Sequence, residues 1–397
     1  MESIEQSEFR LSGGGVARVL SLRMGGQGAS AFSPPTRLLM AIGLMWLPLA
    51  VLTLINGTFA SDEIAQAFIT DVVPQVRLLI ALPLLLLAGL AIDPSVGGTI
   101  RGLALSGVVP QSEYPRFKTA LSRITAMRDS IWPDIVLLVL AFAMTWTLRP
   151  GYGDAMFEVA DKSWLQSVSE GRAILSMAGW WYLLVSAPLF QFILFRWIWR
   201  FIIWGVFLFR LSRIRLDLHA THPDFGGGIG MLGLSQQTFV VLFAALSAIV
   251  SSTIAHDMLF EAATFESARL EMLAFVVMCL VAIYAPLTLF TGQMYMARRH
   301  ALRQYGALAY KLSAAFHEQW ISRASEDVGK QLKEAVDPSA MADYGAVFDT
   351  VQNTRFIPVS MRNIVTTAAS LVVPFLPLYL LQFSVADLID RLLGALV

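Results

Sequence analysis

Long apolar runs separated by short polar segments set the pattern of this chain. They fall near 38–56, 75–92, 132–148, 172–195, 237–255, 270–295 and 363–382. A hydrocarbon layer about 30 Å thick takes roughly 20 apolar residues per helix. The pattern therefore predicts an all-α polytopic membrane protein with about seven transmembrane helices. The third run is the shortest and is expected to extend at one end. The first ends at Asn56-Gly57-Thr58 without a small-residue cleavage site, so it reads as a retained helix and not as a signal peptide.

Charge decides the orientation. With the N-terminus inside, the inner segments 1–37, 93–131, 196–236 and 296–362 hold 23 of the 29 Lys and Arg residues, and the outer segments hold 4. Positive residues collect on the cytoplasmic side, so the N-terminus is placed in the cytoplasm and the C-terminus outside. The net charge of zero hides this asymmetry. The inner basic residues are a topology signal, and no nucleic-acid partner is expected. Membrane lipids are the expected surroundings, and a bacterial inner membrane the expected location. The chain divides into a flexible cytoplasmic N-terminus (1–35), six helices with short outer loops (36–295), a cytoplasmic helical region (296–358), and a seventh helix with an outer amphipathic C-terminal segment (359–397).

Three inner segments carry helical periodicity. Residues 112–129 place Phe117, Leu121, Ile124 and Arg128 at helical spacing ahead of the third run. Residues 196–216 put Arg196, Arg200 and Arg210 on one face, and this helix either lies in the membrane interface or packs on other cytoplasmic helices. After the sixth run, Leu302, Tyr305, Ala309, Leu312, Phe316 and Trp320 form a stripe. A further helix is expected over 339–353. Arg355-Phe356-Ile357-Pro358 then breaks the chain, which splits the seventh helix into a cytoplasmic and a membrane piece.

The densest candidate chemistry is His219-Ala220-Thr221-His222-Pro223-Asp224-Phe225-Gly226-Gly227-Gly228-Ile229-Gly230. His219, His222 and Asp224 can be read as metal ligands. Gly226, Gly227 and Gly228 ahead of a helix can let backbone N–H groups approach an anion. The same residues also make a tight turn, with the glycines supplying positive φ. All three readings stand on the sequence alone, and apart from that metal no cofactor is expected.

Inside the spans, Arg77 either snorkels to the outer headgroups or lines a site. Asp134 reads as an ordinary helix cap. The middle of every span lacks Asp, Glu and His, which lowers the prospect of proton coupling. In the seventh span Asn363, Thr366, Thr367, Ser370, Pro374 and Pro377 cluster on one side, for pore lining or for close packing. Thr366, Ser370, Tyr379 and Gln382 are the pore-lining candidates. The lone cysteine, Cys279, sits in the sixth span and is expected to be inert. No P-loop, HExxH or GxSxG pattern is present.

The segments HPDFGGGIG (222–230) and SAMADYGAVFDTVQNTRFIPVS (339–360) resemble an uncharacterised family of bacterial multi-pass membrane proteins, which brings no function with it. The wiring is similar to that of the insect odorant and gustatory receptor channels. Those have seven helices, an inner N-terminus, an outer C-terminus and a split seventh helix that lines the pore of a tetrameric cation channel. Tyr379-Leu380-Leu381-Gln382-Phe383 resembles the Tyr…Gln-Phe ending of the gustatory type, with shorter spacing and Leu378 in place of a threonine. The uncharged bilayer centre, the split, proline-rich seventh helix and the large helical cytoplasmic mass make a homo-oligomeric channel or channel-like passive transport protein the leading expectation. A membrane-embedded enzyme using His219, His222 and Asp224, and a sensor or scaffold, are the alternatives.

The topology has a direct test. A reporter fused at the C-terminus is expected to be active only outside the membrane, and one near residue 330 only in the cytoplasm. The opposite result at either site would remove the seven-span reading.

Overall fold

A computed structural model describes residues 9–14, 33–61, 66–147, 163–169, 172–260, 263–318 and 338–381. It is an all-α polytopic membrane protein. Six helices are long and apolar enough to span a bilayer: Pro34–Ile55, Val72–Leu105, Met177–Leu211, Gly230–Phe260, Phe265–His317 and Met361–Leu380. The expected third span is the short helix Trp132–Thr147, joined to Gln111–Asp129 by a bend of 46°. Counting that pair as one span gives seven.

The side expected to be outer corrects one boundary. Arg172–Leu175 is not helical but pairs antiparallel with Gln166–Ser169, and the fourth helix begins at Met177. Ser176 sets this start. Its side chain accepts the Gly179 N–H at 2.9 Å, and its hydroxyl donates to the Trp164 carbonyl at 2.9 Å. Such a cap satisfies an otherwise orphaned first-turn donor. Trp164 is buried, packs edge-on to Phe68 at 5.0 Å and donates its indole N–H to Asp71 at 3.0 Å. Asp71 in turn caps the second helix through the Val73 N–H.

The half of the bundle expected to be inner holds charge. Residues 9–14, expected to be flexible, are bound there. The Ser12 N–H donates to Asp93 Oδ1 at 2.8 Å, and its hydroxyl donates to Oδ2. Arg200 donates to the Ser12 carbonyl at 2.8 Å, Arg196 to that of Gly14 at 3.3 Å, and Arg128 to that of Arg10 at 2.9 Å. Leu11 is fully buried. A Cβ on Gly97 would approach the Phe9 carbonyl to 2.7 Å, so the close passage of this segment requires the glycine. Asp134, in the first turn of its helix, is buried and also pairs with Arg196 at 3.1 Å. Removing one partner of such a buried pair typically costs about 3–5 kcal/mol.

The fourth helix runs unbroken to Leu211, and Ile203, Trp204, Phe207, Leu208 and Leu211 are fully buried. It is a packing helix and not an interfacial one. The long sixth helix reaches about 80 Å at 1.5 Å per residue, well past any bilayer. Its apolar stripe meets helix Pro338–Gln352 of the same chain. The Tyr344 hydroxyl donates to the Tyr305 carbonyl, and Val351 is buried with Ala220 and Ala301 against Leu302 and Tyr305. At Leu302 and Tyr305 the stripe's partner is intramolecular, because the chain folds back as a helical hairpin. Trp320 lies outside the described residues.

Candidate functional site

The glycine segment closes on its own carboxylate. Asp224 Oδ1 accepts the backbone N–H groups of Gly226 at 2.8 Å and Gly228 at 3.1 Å. Its Oδ2 accepts that of Gly230 at 2.8 Å, at the start of the fifth helix. The concavity that could have received a foreign anion is thus filled from within. Gly227 and Gly228 adopt φ of 68° and 93°, which glycine tolerates without steric cost. Phe225 sits at φ 54°. A bulky residue in that region typically stores about 1–3 kcal/mol and persists only where its surroundings fix it.

What fixes it is the linker before the seventh helix. The Arg355 N–H donates to the Phe225 carbonyl at 2.9 Å, and the Arg355 guanidinium lies 5.6 Å over the Phe225 ring. The Thr354 hydroxyl donates to the Ala220 carbonyl at 2.9 Å. A Cβ on Gly233 would sit 2.1 Å from the Pro358 carbonyl, so the fifth helix and this linker touch backbone to backbone. The glycine segment and the linker before the seventh helix thus form one joint.

The histidines divide. His222 Nδ1 lies 2.8 Å from Asp224 Oδ1, whereas His219 Nε2 lies 3.6 Å from Asp217, both largely exposed. Among the described residues no group of three His, Cys, Asp or Glu side chains is placed to hold a metal ion. The metal reading of His219, His222 and Asp224 therefore finds no ligand set, because the Asp224 oxygens are turned toward backbone donors. Burial opposes ionisation of Asp224, but the N–H groups of Gly226, Gly230 and Gly228 and the His222 ring together hold its carboxyl below the ordinary value.

The pore candidates are spread over two places. Thr366 and Ser370 are exposed on the seventh helix. Their hydroxyls donate to the carbonyls four residues earlier, both at 2.9 Å, and the Gln237 amide donates to Thr366 at 2.7 Å. Thr367 does not share their side. It is buried and meets the Tyr284 hydroxyl at 2.8 Å. Tyr379 is half-exposed beside Phe265, with ring centroids 5.9 Å apart. Gln382 lies outside the described residues.

Arg77 belongs elsewhere. It donates to the Tyr182 hydroxyl at 3.3 Å beside a cavity of about 110 Å³ lined also by Met144, Phe190, Gln191 and Phe195, with no residue of the seventh helix. Arg77–Ala81 and Tyr182–Ser186 are both π-helical, a deviation that recurs at functional sites. Among the described residues no carboxylate pairs with Arg77.

Sequence reasoning missed the Asp93, Arg196 and Arg200 cluster around residues 9–14. The visible signal was Asp93 directly after an apolar run.

Asp224 has a pH signature. A depressed carboxyl contributes stability that is present above the unfolded value near pH 4 and is lost as pH falls through the folded value. Asp224→Asn is expected to lower stability at neutral pH by about 1.5–3 kcal/mol, the usual worth of bonds to a charged group. Thermal unfolding in detergent should show variant and wild type converging in acid. A constant gap across pH would contradict the assignment.

No family model, no curated protein and no solved structure matches this chain, so its function is argued from its own residues.

Proposed function

We propose that this chain is one subunit of a homo-oligomeric, channel-like passive transport protein of a bacterial inner membrane, with the seventh helix toward the symmetry axis. One observation carries the reading. In helix Met361–Val372, Arg362, Thr366 and Ser370 form an exposed polar flank, extended by Gln237 of the fifth helix. The lipid-ward side holds Met361, Val365 and Val372, and the protein-ward side Thr367 and Leu371. Polar side chains at membrane depth are stable facing a cavity, water or another subunit, and costly facing acyl chains. Back-bonded hydroxyls soften that cost, and the Gln237 amide, bonded to Thr366, is softened only in part.

Proline supports the same reading. The seventh helix tightens to a 3-10 turn at Val373–Phe375, and the Pro374 carbonyl accepts the Ser251 hydroxyl of the fifth helix at 2.7 Å. The turn is thereby anchored to the rest of the chain, and an anchored helix with a polar flank is suited to line a water path.

Cysteines at 366 and 370 in a Cys279→Ala background are expected to cross-link between subunits and to react with water-soluble thiol reagents. In liposomes Ser370→Leu should leave assembly intact and change ion flux by roughly tenfold, the effect of about 1.4 kcal/mol on a barrier. Cysteines that neither cross-link nor react would show that the seventh helix is not the pore.

A further inference from the structure

Beyond the glycine joint, the sixth helix carries a basic cavity. Its volume is about 340 Å³, and it is lined by Tyr295, Arg298, Arg299, Leu302, Arg303 and Phe356. Three guanidinium groups line it and no acid does. Spacings of three and four residues bring Arg299, Leu302 and Arg303 onto neighbouring positions of the helix surface. Arg298 donates through Nη2 to the Gln352 carbonyl at 2.7 Å and lies 4.8 Å over the Phe356 ring. Its Nε is buried without a hydrogen-bond partner. Arg299 and Arg303 are exposed, and among the described residues no carboxylate pairs with either.

We propose that this cavity binds a phosphate-bearing anion. Guanidinium forks match phosphate oxygens bidentately, and an anion here would relieve the mutual repulsion of three arginines. The Tyr295 and Phe356 rings, 6.3 Å apart, give the ligand an apolar wall. Arg298 lies three residues past the sixth apolar run (270–295), among the basic residues that mark the expected inner side. The phosphate group therefore belongs either to an inner-leaflet lipid headgroup or to a soluble compound. Phe356 is part of the linker into the seventh helix, so the occupant touches that linker. The inference does not depend on the pore reading.

Calorimetric titration of the full chain in neutral detergent with inorganic pyrophosphate tests the soluble source. Thermal unfolding in phosphatidylcholine nanodiscs with and without phosphatidylglycerol tests the lipid source. Binding or stabilisation by at least one probe is expected, and Arg299→Gln with Arg303→Gln should weaken it at least about tenfold. Arg116→Gln with Lys118→Gln removes the same charge from another inner helix and should leave binding unchanged. Pyrophosphate binding that the first pair abolishes assigns a soluble phosphate, and a response confined to phosphatidylglycerol assigns a headgroup. No response to either probe, or equal loss in both pairs, would overturn the proposal.

Discussion

The Asp224 carboxylate, wrapped by the backbone N–H groups of Gly226, Gly228 and Gly230, is the contact on which this end of the bundle turns. A charged acceptor with three donors holds a loop of otherwise permissive glycines in one shape. That shape presents the Phe225 carbonyl to Arg355 and the Ala220 carbonyl to Thr354. The linker so held delivers Pro358 against Gly233 and begins the seventh helix at Met361, where the Ser360 side chain caps it by accepting the Asn363 N–H. The sixth and fifth helices and the entry to the seventh thus meet at one rigid joint.

A second polar assembly ties the other half of the bundle. Asp93, Asp134, Arg196 and Arg200 come from three different helices and close on the backbone of residues 9–14. Both assemblies use charged side chains to satisfy backbone groups in places where water is scarce. Both lie toward the side expected to be inner, while the opposite side closes by aromatic packing of Phe68, Trp164 and Tyr182. Ionic and backbone contacts are specific in geometry, and apolar contacts between helices in lipid are less so. The inner joints therefore fix the arrangement of the helices more sharply than their apolar faces do.

Much of this was legible in the chain. Runs of apolar residues announced the spans, because length and hydropathy alone meet the bilayer constraint. Pro358 and the glycines after Asp224 announced breaks. The sequence reading failed where geometry joins distant residues. Ser12 and Asp93 are 81 positions apart, and nothing local marks them as partners. Arg196 and Arg200 look the same in sequence whether they face headgroups or a buried carboxylate. Arg172–Leu175 read as helix because a short apolar run has no period that separates it from a strand. The occupant of the glycine nest was open to inference from the spacing of Asp224 to positions 226, 228 and 230, but the same residues equally suited an external anion. Gln382 and Trp320 lie outside the described residues.

Amide hydrogen exchange across the joint tests the central claim most directly. In the wild type the amides of Gly226, Gly228, Gly230 and Arg355 should all be strongly protected. In Asp224→Ala the three glycine amides should exchange rapidly, and the Arg355 amide, which touches no carboxylate, should follow them. Unprotected glycine amides in the wild type, or an Arg355 amide that keeps its protection when Asp224 is removed, would contradict the account.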